Sequence, residues 1–239
     1  MRSTVFRKLF QCNLVSYNRV VIAGGEIEAA LGSAVTAGAL ANKAIDQSIA
    51  LSKLSTASYS DFNSNGMRIT SDVMKTPQAQ TLIKEIQAGN LGIPASDTVD
   101  IAAAYIKSGT TLPQQGVATS GSMLIKIVPK GDAVSATTGY WMNIQQARAL
   151  ATMTPEQVGQ MLGLPATQTA NILKNGVDFY VITPKPGITP TVFVSDIAST
   201  TQGVVNMPGT AQQVIVPNRS QWTAPSLVNP FSLRTKEGR

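Results

Sequence analysis

The chain has 239 residues, 43% of them hydrophobic and only 13% charged, with a formal charge of +6 and a pI near 9.6. It holds no histidine and one cysteine, Cys12, which excludes an intrachain disulfide, Cys/His zinc sites and Ser-His-Asp or Cys-His catalysis. Acid–base chemistry must then fall to Asp, Glu, Lys, Arg or Tyr. The half after Thr119 carries +4 of the +6, which suits a polyanionic partner such as RNA or an acidic protein.

No run approaches the ~18 apolar residues of a membrane span. The basic start (Arg2, Arg7, Lys8) is interrupted by Gln11, Asn13, Ser16, Asn18 and Arg19, which argues against a signal peptide. An Ala/Gly-rich stretch with small residues at helical spacing predicts a close-packed helix over 26–53, and Ser/Asn-rich residues 55–67 predict a linker. Thr76-Pro77 reads as an N-cap with proline at the first helical position, opening a helix through Gln87; a second helix is expected over 96–108.

Beyond Ser122 the period changes. Strands are expected over 123–128 and 139–142, helices over 144–153 and 154–162, then strands over 178–183, 191–195 and 211–216. The turns between the last strands are Pro184-Lys-Pro-Gly187 and Met207-Pro-Gly-Thr210. The fold class expected is α+β: N-terminal helices followed by a small, largely antiparallel sheet with packed helices. Three regions follow: 1–66, a helical segment and linker; 67–119, a helical lead-in; and 120–239, the domain that carries the activity.

Two chemistries are open to the polar residues. Cleaving RNA without histidine needs a base for the 2′-hydroxyl and cations around the phosphorane, and Lys126, Arg148, Lys185, Asp196 and Arg219 are the catalytic candidates. Lys130, Tyr140, Trp141 and Trp222 are candidates for binding the substrate, the tryptophans by stacking on bases. Alternatively, Gln212 and Gln213, entering a late strand after Pro208-Gly209, orient the ribose of NAD while Arg148 holds its pyrophosphate. A non-enzymatic secreted adhesin or interaction module also fits the low charge and many Ser and Thr.

The runs Tyr105-Ile-Lys-Ser-Gly-Thr-Thr-Leu-Pro113, Leu124-Ile-Lys-Ile-Val-Pro-Lys-Gly131, Gly139-Tyr-Trp-Met142, Val181-Ile-Thr-Pro-Lys-Pro-Gly187 and Gln212-Gln-Val-Ile-Val-Pro217 together resemble the C-terminal toxin regions of contact-dependent growth inhibition effectors, the CdiA or filamentous-haemagglutinin-like proteins. The family's Val-Glu-Asn-Asn boundary signature is missing. The resemblance implies a barnase/EndoU/colicin/RelE-like fold and a toxin neutralised by a cognate immunity protein. It implies a metal-independent ribonuclease, acting on tRNA without a cofactor, with an NAD-hydrolysing toxin as the other lifestyle. It also implies a secreted or cell-surface effector that works in the target-cell cytoplasm, with residues 24–54 as the end of a pretoxin part.

Overall fold

The computed structural model describes residues 62–89 and 92–229. The helix expected over 26–53 lies outside them. The fold is α+β, and the described residues form six helices, a seven-stranded antiparallel sheet and a separate three-stranded one.

In chain order the elements are β1 (Phe62–Ser64), α1 (Ser71–Met74), α2 (Pro77–Ala88), α3 (Ala95–Lys107), β2 (Gln114–Val117), β3 (Leu124–Pro129) and β4 (Tyr140–Asn143). Then come α4 (Ile144–Leu150), α5 (Pro155–Met161), α6 (Ala166–Asn175), β5 (Val177–Ile182), β6 (Thr191–Asp196), β7 (Thr200–Gln202), β8 (Val205–Met207), β9 (Gln212–Ile215), a 3₁₀ turn (Arg219–Gln221) and β10 (Ser226–Val228). The large sheet runs β10-β5-β3-β4-β9-β6-β2, and β1-β7-β8 form the small one. No helix among the described residues is long and apolar enough to cross a membrane.

Helix starts follow their side chains. The Thr76 hydroxyl accepts from Ala79 N (3.3 Å), and Thr154 and Gln157 close a reciprocal capping box ahead of Pro155. Helix α6 is one departure from the sequence expectation, beside the short helix α1 and the short strands β1, β2, β7, β8 and β10. Pro165 stands at the α6 N-cap position and no side chain caps it, so no start signal marks it. Its buried stripe, Ala166, Thr169 and Ile172, emerges only on packing.

Alternation along the strands divides the sheet into two faces. Ile125, Ile127, Met142 and Phe179 pack with Leu150 of α4 and Val158 of α5. On the same face Phe193 and Ile215 pack under Leu82 and Ile86 of α2 and Ile101 and Ile106 of α3. The opposite face carries Leu124, Trp141, Ile182, Val192, Val214, Val216 and Trp222, crossed by loops rather than helices. The division expected after Thr119 therefore falls inside one sheet, because β2 pairs with β6 and α2 and α3 cover β6 and β9.

Candidate functional site

Lys126 follows from register. It lies between Ile125 and Ile127 and so points away from the helices, opposite Tyr180 of β5. Val128 and Asp178 are the next pair on that face. The loop 130–139 folds across these residues. Gly131 N donates to Asp178 Oδ2 (2.8 Å), the Tyr180 hydroxyl to the Asp132 carbonyl (3.3 Å), and Trp141 Nε1 to the Thr138 carbonyl (3.0 Å). Lys126 Nζ donates to the Tyr140 carbonyl at 3.2 Å, and burial pushes its ammonium down to about 8.

Arg219 arrives from the 3₁₀ turn and is 5% exposed. Its guanidinium lies over the Trp141 ring, Cζ 5.1 Å from the centroid. Nε donates to the Ala136 carbonyl (3.2 Å) and Nη2 to the Thr223 carbonyl (3.2 Å), while Nη1 is buried without a partner. Burial lowers its pKa to about 10, partly offset by the neighbouring Tyr105, so it stays charged at neutral pH. Gln221 Oε1 and Trp222 Nε1, in the same short segment, are also buried and unpartnered. Buried polar atoms are nearly always bonded to protein or water, so three such atoms within four residues mark this segment.

Beside it stand two phenols. Tyr105 of α3 and Tyr140 of β4 meet edge to face, centroids 5.1 Å apart at 88°. Burial pushes Tyr105 up to about 12, with Arg219 pulling the other way. Tyr140 is raised by burial and by Tyr105, with Ser108's hydrogen bond partly offsetting them. Gly139 is required here because a Cβ would run into the Tyr105 hydroxyl. Behind the phenols, Gln213 Nε2 donates to Ser108 Oγ (2.7 Å) and Ser195 Oγ (3.0 Å).

The structure thus brings Lys126, Trp141 and Arg219 to one face, with the Tyr140 backbone carbonyl on Lys126, while the Tyr140 ring turns to the helix-covered face with Ile215, so the full catalytic set does not gather. Arg148 is on α4, on the helix-covered face, whereas Lys126 projects from the other, so the two cannot hold one phosphate. Asp196 is exposed at the end of β6, paired with Gln212, three registers along β9 from Ile215, the partner of Tyr140. Lys130 and Lys185 are exposed in turns; Lys185 N bonds the Gln221 carbonyl, which places that turn at the rim of the Arg219 segment.

The base-stacking role expected of Trp141 and Trp222 is corrected by their burial: each is 2% exposed in the core, with no ring face for a nucleobase. Gln213 is buried and committed to two serines, and Gln212 is exposed, so the pair does not act together on one ribose. Tyr105, Asp132, Asp178 and Tyr180 enter only with the structure. Strand alternation offered a signal for two of them, since Asp178 and Tyr180 share a face with Ile182. Tyr105 lies in the region read as a lead-in, and Asp132 in a segment read only as a turn. Among the described residues no three acidic or cysteine side chains gather as a metal would need. No protein-family model, curated protein or solved structure matches the chain.

Proposed function

We propose that this chain is an antibacterial toxin that cleaves RNA, tRNA foremost, without a metal ion, and that a cognate immunity protein neutralises it. On this reading it is delivered from the producer's surface or as a secreted effector and works in the cytoplasm of its target. The observation that carries the reading is a pair of desolvated cations, Lys126 and Arg219, set around Trp141 with no acidic partner. The salt bridge Lys75–Asp72 is an exposed helical pair elsewhere and involves neither cation. Desolvating a cation costs several kcal/mol unless an opposite charge compensates it. A phosphodiester supplies that charge, and the Arg219 Nη1 protons left without an acceptor have the chemistry to bond its oxygens once the loop that caps Arg219 at Ala136 moves aside, since the side chain is buried as it stands. The +4 on the half of the chain beyond Thr119 favours the approach of a polyanion.

The test is inducible expression of the full chain in a bacterium, with growth, total RNA on a denaturing gel and cellular NAD read from one culture. Growth arrest with discrete tRNA fragments is expected. Arg219→Ala should cut cleavage by about 10²–10³, the usual cost of one donor at a transition-state oxyanion, and Arg219→Lys should restore little of it because a lysine lacks the planar fork. Arrest with intact RNA and collapsed NAD would transfer the reading to NAD hydrolysis. Unimpaired growth with folded, soluble protein would leave a binding module.

A further inference from the structure

Cleavage through a ribose 2′-hydroxyl needs a group that accepts the proton and a group that returns one to the leaving oxygen. The carboxylate expected from the sequence, Asp196, is at the wrong end of the sheet for either task. Lys126 is unsuited to be the base at neutral pH, since an amine titrating at about 8 is mostly protonated there. It is well suited to the opposite role: an ammonium made more acidic by burial, with one proton on the Tyr140 carbonyl and two to offer. The base must then be a carboxylate on the same face, reached from the same loop.

We infer that Asp132 is the general base of the proposed reaction and that Asp178 positions and tunes it; the inference rests on the nuclease reading. Asp132 belongs to the 130–139 loop, and two bonds fix that loop to β5, the strand whose Tyr180 pairs with Lys126. The Tyr180 hydroxyl holds the Asp132 carbonyl, and the Asp178 carboxylate holds Gly131 N. The backbone on both sides of the Asp132 side chain is therefore anchored, and the side chain is left half-exposed toward solvent. No ion pair closes between Asp132 and Lys126, so neither group is spent on the other.

The 2′-hydroxyl gives its proton to the Asp132 carboxylate as the 2′-oxygen–phosphorus bond forms. Arg219 holds the phosphorane oxygens. The phosphorus–5′-oxygen bond breaks and the 5′-oxygen takes a proton from Lys126. The products are a 2′,3′-cyclic phosphate and a 5′-hydroxyl, and water or buffer returns the two groups to their starting states.

Asp178 is the charge that acts on the Asp132 carboxylate, the Tyr180 hydroxyl holds the Asp132 carbonyl, Lys130 stands on the same loop, Lys126 pairs with Tyr180 across the strands, and Arg219 bonds that loop further along, at Ala136. Of these Asp178 is the one that perturbs it: burial raises the Asp132 pKa and the Asp178 charge raises it further. The base must be ionised and the acid protonated. Activity therefore climbs as pH rises through the elevated Asp132 value and falls as pH passes about 8, where Lys126 loses its proton.

The experiment is cleavage of unfractionated bacterial tRNA by the purified full chain across pH 4 to 10, beside binding of an all-2′-deoxy oligonucleotide that cannot react. Asp132→Asn should lower the plateau rate by about 10²–10³ with deoxy-oligonucleotide affinity and thermal unfolding unchanged. Asp178→Asn should keep most of the rate and move the acid limb to lower pH, only part of the way because burial remains. If the wild-type chain cuts no RNA at any pH, the nuclease reading falls and takes this role with it. If it cuts and folded Asp132→Asn keeps more than a tenth of the rate, Asp132 alone is overturned. Should Asp132→Asn fail to fold, the Asp178→Asn profile decides, and an unmoved acid limb refutes the assignment.

Discussion

Lys126 occupies a strand position that a leucine or methionine would fill without penalty. Its neighbours along β3 are Ile125 and Ile127, and its ammonium has one bond, to a carbonyl. The folded pKa of about 8 lies below the ordinary 10.5, so the folded state gives up its proton before the unfolded chain does. Between those values the unfolded state binds more protons, and stability rises with pH. Below about 8 the full desolvation cost is present. Lys126→Met should therefore stabilise the protein at pH 7, by about 1–2 kcal/mol for a half-buried site, while abolishing growth arrest. Its advantage should shrink as pH goes from 7 to 10. Thermal melts of both proteins at pH 7 and pH 10 check this. A variant less stable than wild type at pH 7 would mean that the ammonium is compensated by a partner. Retaining an unstable residue at the cost of stability is the pattern of functional sites rather than of cores.

At the level of elements, the turn before β9 rests on Gly209. Its φ is +73°, and a Cβ there would collide with the Ala198 carbonyl. The turn is also stitched to α5, Gly209 N to the Gln160 carbonyl (2.9 Å) and Ala211 N to Met161 (3.0 Å). Gly209→Ala should cost at least ~2 kcal/mol from the left-handed conformation and the backbone clash, a fall in Tm of roughly 5 °C or more. A melt within a degree of wild type would show that the turn relaxes freely. The sequence marks this turn plainly, as it does α2 and α5, because Thr76-Pro77 and Thr154-Pro155 are local signals that need no partner. The apolar run of β3 is legible for the same reason. Strands β2, β7, β8 and β10 are not, since three or four residues such as Gln-Gln-Gly-Val carry too little β-propensity to stand out. The site divides likewise. Lys126, Tyr140, Trp141 and Arg219 attract notice as charges and aromatics, but their meeting depends on β4 lying beside β3 and β9. The burial of Trp141 and Trp222, and the separation of Arg148 from Lys126, depend on which face each residue takes after the sheet closes.

For the molecule as a whole, the consequence lies in how far back the folding unit reaches. Helices α2 and α3 cover Phe193 and Ile215, which are fully buried, and α3 supplies Tyr105 against Tyr140 and Ser108 against Gln213. Strand β2 closes the sheet edge at β6, and β1 pairs with β7 from earlier still. A fragment of residues 120–239 keeps β3 to β10 but uncovers Phe193, Ile215 and Tyr140. At about 1.5–3 kcal/mol per large apolar side chain, that is a loss of roughly 4–9 kcal/mol. Such a loss is comparable with the whole ~5–15 kcal/mol by which domains are stable. The fragment should accordingly lack a cooperative denaturant transition, bind hydrophobic dye and give weak near-ultraviolet circular dichroism, while the full chain unfolds sigmoidally. It should also fail to arrest growth, since the site is lined in part by α3. A fragment that unfolds cooperatively with native near-ultraviolet signal would show that the sheet carries its own core. In that case the helices before Thr119 would be an appended layer, and the packing of Tyr105 on Tyr140 would not be needed for the fold.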